Sequence, residues 1–106
     1  MSTPEEILSG VVARFSPEAA KGVRVTYELQ LRGDAGGVWH VVVADEKCQL
    51  HSGPAADPDV TIVMSAEDWR KLTAGQLDAA EAFFAGRIEV RGNLSLALQL
   101  QSLFGL

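Results

Sequence analysis

The sequence predicts an α+β fold, a five-stranded mainly antiparallel sheet covered on one face by helices. Three observations predict it. Apolar residues recur at helical spacing at both ends of the chain and again after Ser65. Between them the period changes to two, in runs separated by turn residues. The resulting order is helices, strands, helices, strand, helix. With 106 residues the chain reads as one domain, 1–106, large enough for a core of its own.

Thr3-Pro4-Glu5-Glu6 opens the first helix: Thr3 caps, Pro4 suits the first turn, and Glu6 completes a capping box. Ile7, Leu8, Val11, Val12 and Phe15 then give one buried face. Ser16-Pro17-Glu18 starts a second short helix that Gly22 ends.

From Val23, the residues Val23, Val25, Tyr27, Leu29 and Leu31 alternate with Arg24, Thr26, Glu28, Gln30 and Arg32, as in a half-buried strand. Residues 33–37 form a flexible turn. Pairing Arg32 with Val38 sets Leu31 against Trp39, Leu29 against Val41 and Tyr27 against Val43, with all the large apolar residues on one face. A tight turn at Asp45-Glu46 similarly pairs Val43 with Cys48 and Val41 with Leu50. Asp-Glu is not a favoured hairpin turn, so a longer loop is the alternative. Gly53-Pro54-Ala55-Ala56-Asp57-Pro58 breaks the chain, and Asp59 to Met64 is the fourth strand, with Val60, Ile62 and Met64 facing in. To this point the strands read as antiparallel, with one oily and one wet face.

Ser65 caps the next helix, with Asp68 at its third position, and Trp69 and Leu72 on its apolar side. Asp78 opens a further short helix that buries Phe83 and Phe84 and ends at Gly86. Arg87 to Arg91 is the fifth strand, with Ile88 and Val90 inward. Asn93 then caps a last helix reaching Phe104. At about 100° per residue, Leu103, Leu96, Leu100, Phe104, Ala97, Leu94 and Leu98 cover an arc of roughly 220°. One packing partner needs only about 100°. The surplus calls for a neighbouring helix, another subunit or an oily ligand.

Composition narrows the functions. The net charge is −5 and no basic cluster exists, so nucleic-acid binding lacks its electrostatic term and attraction to anionic membranes is disfavoured. No apolar run approaches the roughly 18 residues that span a bilayer, and the polar, acidic start, Met1 to Glu6, is not of secretory type. The single cysteine, Cys48, leaves no internal disulfide and fits a reducing, cytoplasmic compartment. Cys48 falls on the oily face, as a structural thiol does; a nucleophile would need a base or positive field. His40 and His51 face each other on the wet side of the second hairpin. Two imidazoles fall short of the three protein ligands of a catalytic zinc site, so they read as a cross-strand pair. No phosphate loop, zinc-protease helix or nucleophile elbow is present. No catalytic residue, metal or cofactor is expected.

The run Asp59-Val60-Thr61-Ile62, the Ser65-capped helix, Ala82-Phe83-Phe84-Ala85-Gly86-Arg87-Ile88, Val90-Arg91-Gly92-Asn93 and Leu96-Ala97 with spaced leucines resembles a sterol carrier protein-2 (SCP2) domain. The resemblance covers somewhat under half the chain, from Asp59 to Phe104. It implies a five-stranded sheet whose helices enclose an apolar tunnel for a sterol, fatty acid or fatty acyl-CoA. The chain ends Phe104-Gly105-Leu106, without a peroxisomal tripeptide of the SKL type, and stops soon after the last helix. A shorter or more open tunnel, holding a single acyl chain, is the expectation.

The combined reading is a non-enzymatic lipid carrier or binding protein, without stable membrane insertion, monomeric or dimeric. Val25, Tyr27, Leu29, Val41, Val43 and Ile62 form the floor of the ligand site, and Trp69, Leu72, Phe83, Phe84, Leu96, Leu100, Leu103 and Phe104 its wall and lid. Gln101 is either the polar handle inside that cavity or a helix-edge residue wetted by solvent. The alternative function is a homodimeric interaction module using the apolar face of the last helix.

Overall fold

The computed structural model describes residues 4–34 and 36–104; Thr3, the expected first cap, lies outside them. The elements are α1 (Pro4–Val12), β1 (Val25–Arg32), β2 (Gly37–Ala44), β3 (Lys47–Ser52), β4 (Val60–Ser65), α2 (Ala66–Thr73), α3 (Ala79–Phe84), β5 (Glu89–Gly92) and α4 (Leu94–Phe104). The predicted class holds: one five-stranded sheet in the order β3-β2-β1-β4-β5. α1, α2 and α4 pack on the face that carries the alternating apolar residues.

Leu8 and Val11 of α1 are buried against that face, and Ile7, Val12 and Phe15 pack beside them. The expected second helix does not form. Ala20 N–H donates to Pro17 O, Lys21 N–H to Glu18 O and Val23 N–H to Ala20 O, so the segment is a chain of tight turns. Six residues return too few hydrogen bonds to offset helix nucleation, whereas burying Ala20 completely anchors the turns.

In the first hairpin the faces are as expected, but the register is shifted by two residues. Leu29 pairs with Trp39, Tyr27 with Val41 and Val25 with Val43. A shift of two keeps every side chain on its face, so hydrophobic alternation cannot choose between the two registers. The turn does. Gly36 N–H closes onto Gly33 O, and a Cβ at Gly36 would collide with the Leu31 carbonyl. The strands therefore pair up to Gly37, closer to the turn than a side chain would allow.

The second hairpin has the tight Asp45-Glu46 turn, with Val43 opposite Cys48 and Val41 opposite Leu50. Both turn residues take left-handed φ values, 54° and 60°. A side chain in that region costs about 1–2 kcal/mol that glycine avoids. Glu46→Gly is therefore expected to stabilise the protein by about 1 kcal/mol, seen as a higher urea midpoint; a lower midpoint would mean that Glu46 makes contacts worth more than the strain.

The fourth strand departs from the antiparallel pattern, pairing parallel to β1 with Tyr27 opposite Val60 and Leu29 opposite Ile62. Two carboxylates explain how a short connection manages this without a crossover helix. Glu28, central on the polar face and only 6% exposed, accepts from Ala55 N–H (2.9 Å) and Gln30 Nε2 (2.7 Å), which pins the loop across the sheet. Asp59 then donates its N–H to Thr26 O and accepts Thr26 N–H on Oδ2 (2.8 Å), setting β4 beside β1. Part of the expected wet face is thus covered.

Candidate functional site

α4 carries most of the expected lining residues, and its start is set by Asn93, whose Oδ1 accepts from Ser95 N–H (2.9 Å) and Leu96 N–H (3.3 Å). Leu96, Ala97, Leu100, Leu103 and Phe104 span about 120° of the helix and face the core. The rest of the expected apolar arc does not: Leu94 and Leu98 are 46% and 60% exposed. Gln101 lies between Ala97 and Leu94 around the helix and is exposed. It sits about 100° from the centre of the buried stripe, so the solvent-wetted reading of Gln101 is the one the structure takes.

Tyr27 and Leu96 meet across the layer. The Tyr27 hydroxyl donates to the Leu96 carbonyl at 2.6 Å, which fastens α4 to β1. Burial, and then the negative charge of Asp59, push the Tyr27 phenol up to about 12. A raised phenol stabilises the fold while protonated, in full below its ordinary value of 10, and the benefit is lost as pH rises towards 12. Tyr27→Phe should therefore lower stability at pH 7 by about 1 kcal/mol and flatten the alkaline fall between pH 10 and 12. An unchanged alkaline limb in thermal melts would assign that fall to other groups.

The apolar layer is closed at one end and loose at the other. At the closed end Val25, Val43, Val60, Leu103 and Phe104 are fully buried. There the Phe15 and Phe104 rings lie 5.5 Å apart, and Ser16 N–H donates to Leu103 O at 2.8 Å. Around α2, β5 and the first turns of α4, Leu72, Ile88, Val90, Leu96 and Leu100 pack on the core but are only half-buried. A groove of about 440 Å³ opens beside β5, lined by Arg32, Phe83, Gly86, Ile88, Glu89 and Val90. A second depression of about 370 Å³ lies by the Asp45-Glu46 turn and is mostly polar, lined by Gly22, Val23, Arg24, Asp45 and Glu46.

Phe83 and Phe84 are not buried as expected. Phe83 stands at the groove, 37% exposed, and Phe84 is 86% exposed, their rings 5.8 Å apart edge to face. Asp78 caps α3 as expected, accepting Glu81 N–H at 3.0 Å, but the helix has only six residues. Such a helix buries one narrow stripe, here Ala82, and the two phenylalanines following it turn away.

Of the other expected lining residues, Tyr27, Val41, Val43, Ile62, Trp69, Leu103 and Phe104 share the core cluster, with Leu72, Leu96 and Leu100 against it. Ser65 Oγ caps α2 by accepting Asp68 N–H at 3.0 Å. The Asp68 carboxylate meets the Arg87 guanidinium through Nη2, and through Nε at 3.2 Å. That hydrogen bonding is the main reason the Asp68 carboxyl is held below its ordinary range. The pair ties α2 to the segment entering β5, and neither this link nor the Glu28 pin was legible from local pattern, since both join residues far apart in sequence.

His40 and His51 do face each other, stacked with centroids 4.9 Å apart, and His40 Nδ1 lies 2.9 Å from Gly53 O. Among the described residues no group of three His, Cys, Asp or Glu side chains could hold a metal. Cys48 is half-buried on the core face, its thiol pushed up by burial, with Sγ 3.9 Å from Val12 O. A thiol held protonated in apolar surroundings is a poor nucleophile. Among the described residues no helix is long and apolar enough to cross a membrane.

The model of the SCP-2 sterol transfer family matches residues 8–105. Hydroxysteroid dehydrogenase-like protein 2 of Rattus norvegicus is 30% identical over 100 residues, covering 93% of this chain. The chain spans only 19% of that relative's length. The solution structure of palmitated SCP2L2 from Aedes aegypti superposes with a TM-score of 0.77 at 26% identity, over 94% of this chain and 92% of that one. The sec-alkylsulfatase Pisa1 from Pseudomonas sp. contains the same fold, with a TM-score of 0.81 at 20% identity over 99% of this chain and 16% of its own.

Proposed function

This chain belongs to the SCP-2 sterol transfer family, and from that membership and the half-closed apolar layer we propose that it binds one long-chain lipid. The lipid lies between α2, β5 and α4, beside Leu72, Ile88, Val90, Leu96 and Leu100, and enters by the groove at Phe83. The single observation that carries this reading is the uneven closure of the layer. Val25, Val43, Val60, Leu103 and Phe104 are sealed under the end of α4, whereas Ile88 and Val90 stay half-buried in the wall of an open groove. The palmitated state of the Aedes aegypti relative supports the same ligand class here.

Binding in this reading is partitioning. Each CH₂ removed from water is worth about 0.8 kcal/mol, so a long chain is retained without a charge pair. Filling the loose end also removes a packing defect of the kind that large-to-small core substitutions create. The chain acts as a carrier or binding domain with no chemistry of its own; where it forms part of a longer enzyme, it supplies the lipid. Native mass spectrometry of freshly purified protein tests this. The expected spectrum carries one lipid per chain, or gains one when palmitate is added. A spectrum that stays at the bare mass in both conditions contradicts it.

The second reading, a homodimer through α4, has Leu94 and Leu98 in its favour, both exposed. Two leucines supply far less than the roughly 800 Å² per partner of a standard interface, so the lipid reading leads. Sedimentation velocity separates them, a tight dimer dissolved by Leu98→Glu being the result that reverses this order.

A further inference from the structure

Trp69 carries a buried donor that no protein group uses. Its side chain is 3% exposed, and its indole Nε1–H has no hydrogen-bond acceptor among the described residues. A donor left in that state loses the whole of its hydration without compensation. A phenylalanine would fill apolar space with no such penalty, so the indole nitrogen needs an explanation that packing does not give.

Its position supplies one. The Asp68–Arg87 pair holds the residue before Trp69 against the residue before Ile88. Ile88 lines the groove and packs on the core cluster to which Trp69 belongs. The orphan donor thus belongs to the core side of α2, the helix that this pair ties to the segment entering β5. The charged residues buried among those described are Glu28, on the opposite face, and Asp68, already held by Arg87; no cation is buried. An ionised carboxylate placed there would stay unpaired, whereas an uncharged oxygen needs only the indole N–H.

We propose that Trp69 Nε1–H donates to an uncharged carbonyl or hydroxyl oxygen of the bound lipid, which enters oxygen first and trails its chain towards Phe83. The inference rests on the lipid-binding reading above and adds to it the ligand's class and orientation. Phe83 and Phe84, apolar and exposed, suit a mouth through which a chain leaves.

The test uses hexadecane, methyl palmitate and ionised palmitate as probes, with wild-type protein and Trp69→Phe, by displacement of a fluorescent lipid. Trp69→Phe should weaken methyl palmitate about tenfold, the worth of one buried hydrogen bond, and leave hexadecane unchanged. In ¹H–¹⁵N spectra the indole peak missing from Trp69→Phe should move downfield with methyl palmitate and stay near its free position with hexadecane. Equal affinities of both proteins for methyl palmitate would overturn the proposal, as would equal losses for all probes, which mark ring packing alone. Tighter binding of ionised palmitate than of methyl palmitate by the wild type would overturn the uncharged class. Failure of every probe to bind the wild type instead removes the lipid-binding reading itself, and this inference with it.

Discussion

Leu100→Glu is expected to abolish binding of a fluorescent long-chain lipid. Leu100 lies on the buried stripe of α4 at the loose end of the layer, half-buried against the core. A carboxylate there meets the ligand chain with no buried cation to receive it. Even a few kcal/mol of unpaired charge lowers affinity by about a hundredfold or more. α4 remains docked in this variant through Leu103, Phe104 and the Tyr27–Leu96 hydrogen bond, at the far end and on the β1 side. Ser102→Glu, on the exposed side of the same helix, serves as the charge control and should bind normally. Leu100→Trp fills the same space without adding charge and should also block binding. Unchanged affinity in both Leu100 variants, with native circular dichroism, would place the ligand elsewhere or remove it.

Phe104→Ala should have the largest effect on stability. The ring is 1% exposed and packs on Phe15 at 5.5 Å, while the neighbouring Leu103 carbonyl accepts Ser16 N–H. Removing it leaves a cavity at the closed end and loosens both α4 and the chain after α1. Buried Phe→Ala changes cost about 3–5 kcal/mol, a large part of the 5–15 kcal/mol typical of a whole domain. Urea unfolding measures it as a lower midpoint at an unchanged slope. A loss below about 1 kcal/mol would mean that the closed end is no better packed than the surface. The contrast with Leu98 sharpens the point: exposed at 60%, it should tolerate alanine within about 0.5 kcal/mol.

The faces of the elements were legible in the sequence because burial follows periodicity. Alternation placed Val25, Tyr27, Leu29, Val41 and Val43 on the core side, and helical spacing placed Leu96, Leu100, Leu103 and Phe104 there too. The caps at Ser65, Asp78 and Asn93 were equally readable, since each is a local exchange between a side chain and the next turn. What local pattern could not give was whatever a distant residue decides. The first hairpin's register turned on Gly36 and its clearance of Leu31, a two-residue choice that leaves the alternation intact. The parallel placement of β4 depended on Glu28 and Asp59, which read as ordinary polar positions of a strand and a loop. Phe83 and Phe84 went astray for one reason. Apolar composition marks a residue as able to be buried, but the width of the available stripe decides which ones are.

The surplus apolar arc of α4 is accordingly two features. One part closes the core and borders the loose end of the layer, and the other, Leu94 and Leu98, faces outward. A ligand that fills the layer touches the first and leaves the second unchanged. Intermolecular NOEs between the chain protons of bound palmitate and protein methyl groups, which report direct contact, separate the two. Strong cross-peaks are expected at Leu72, Ile88, Val90 and Leu100, with none at Val43 or Leu98. Cross-peaks confined to Leu94 and Leu98, or none at the four layer residues, would contradict a lipid site within the layer.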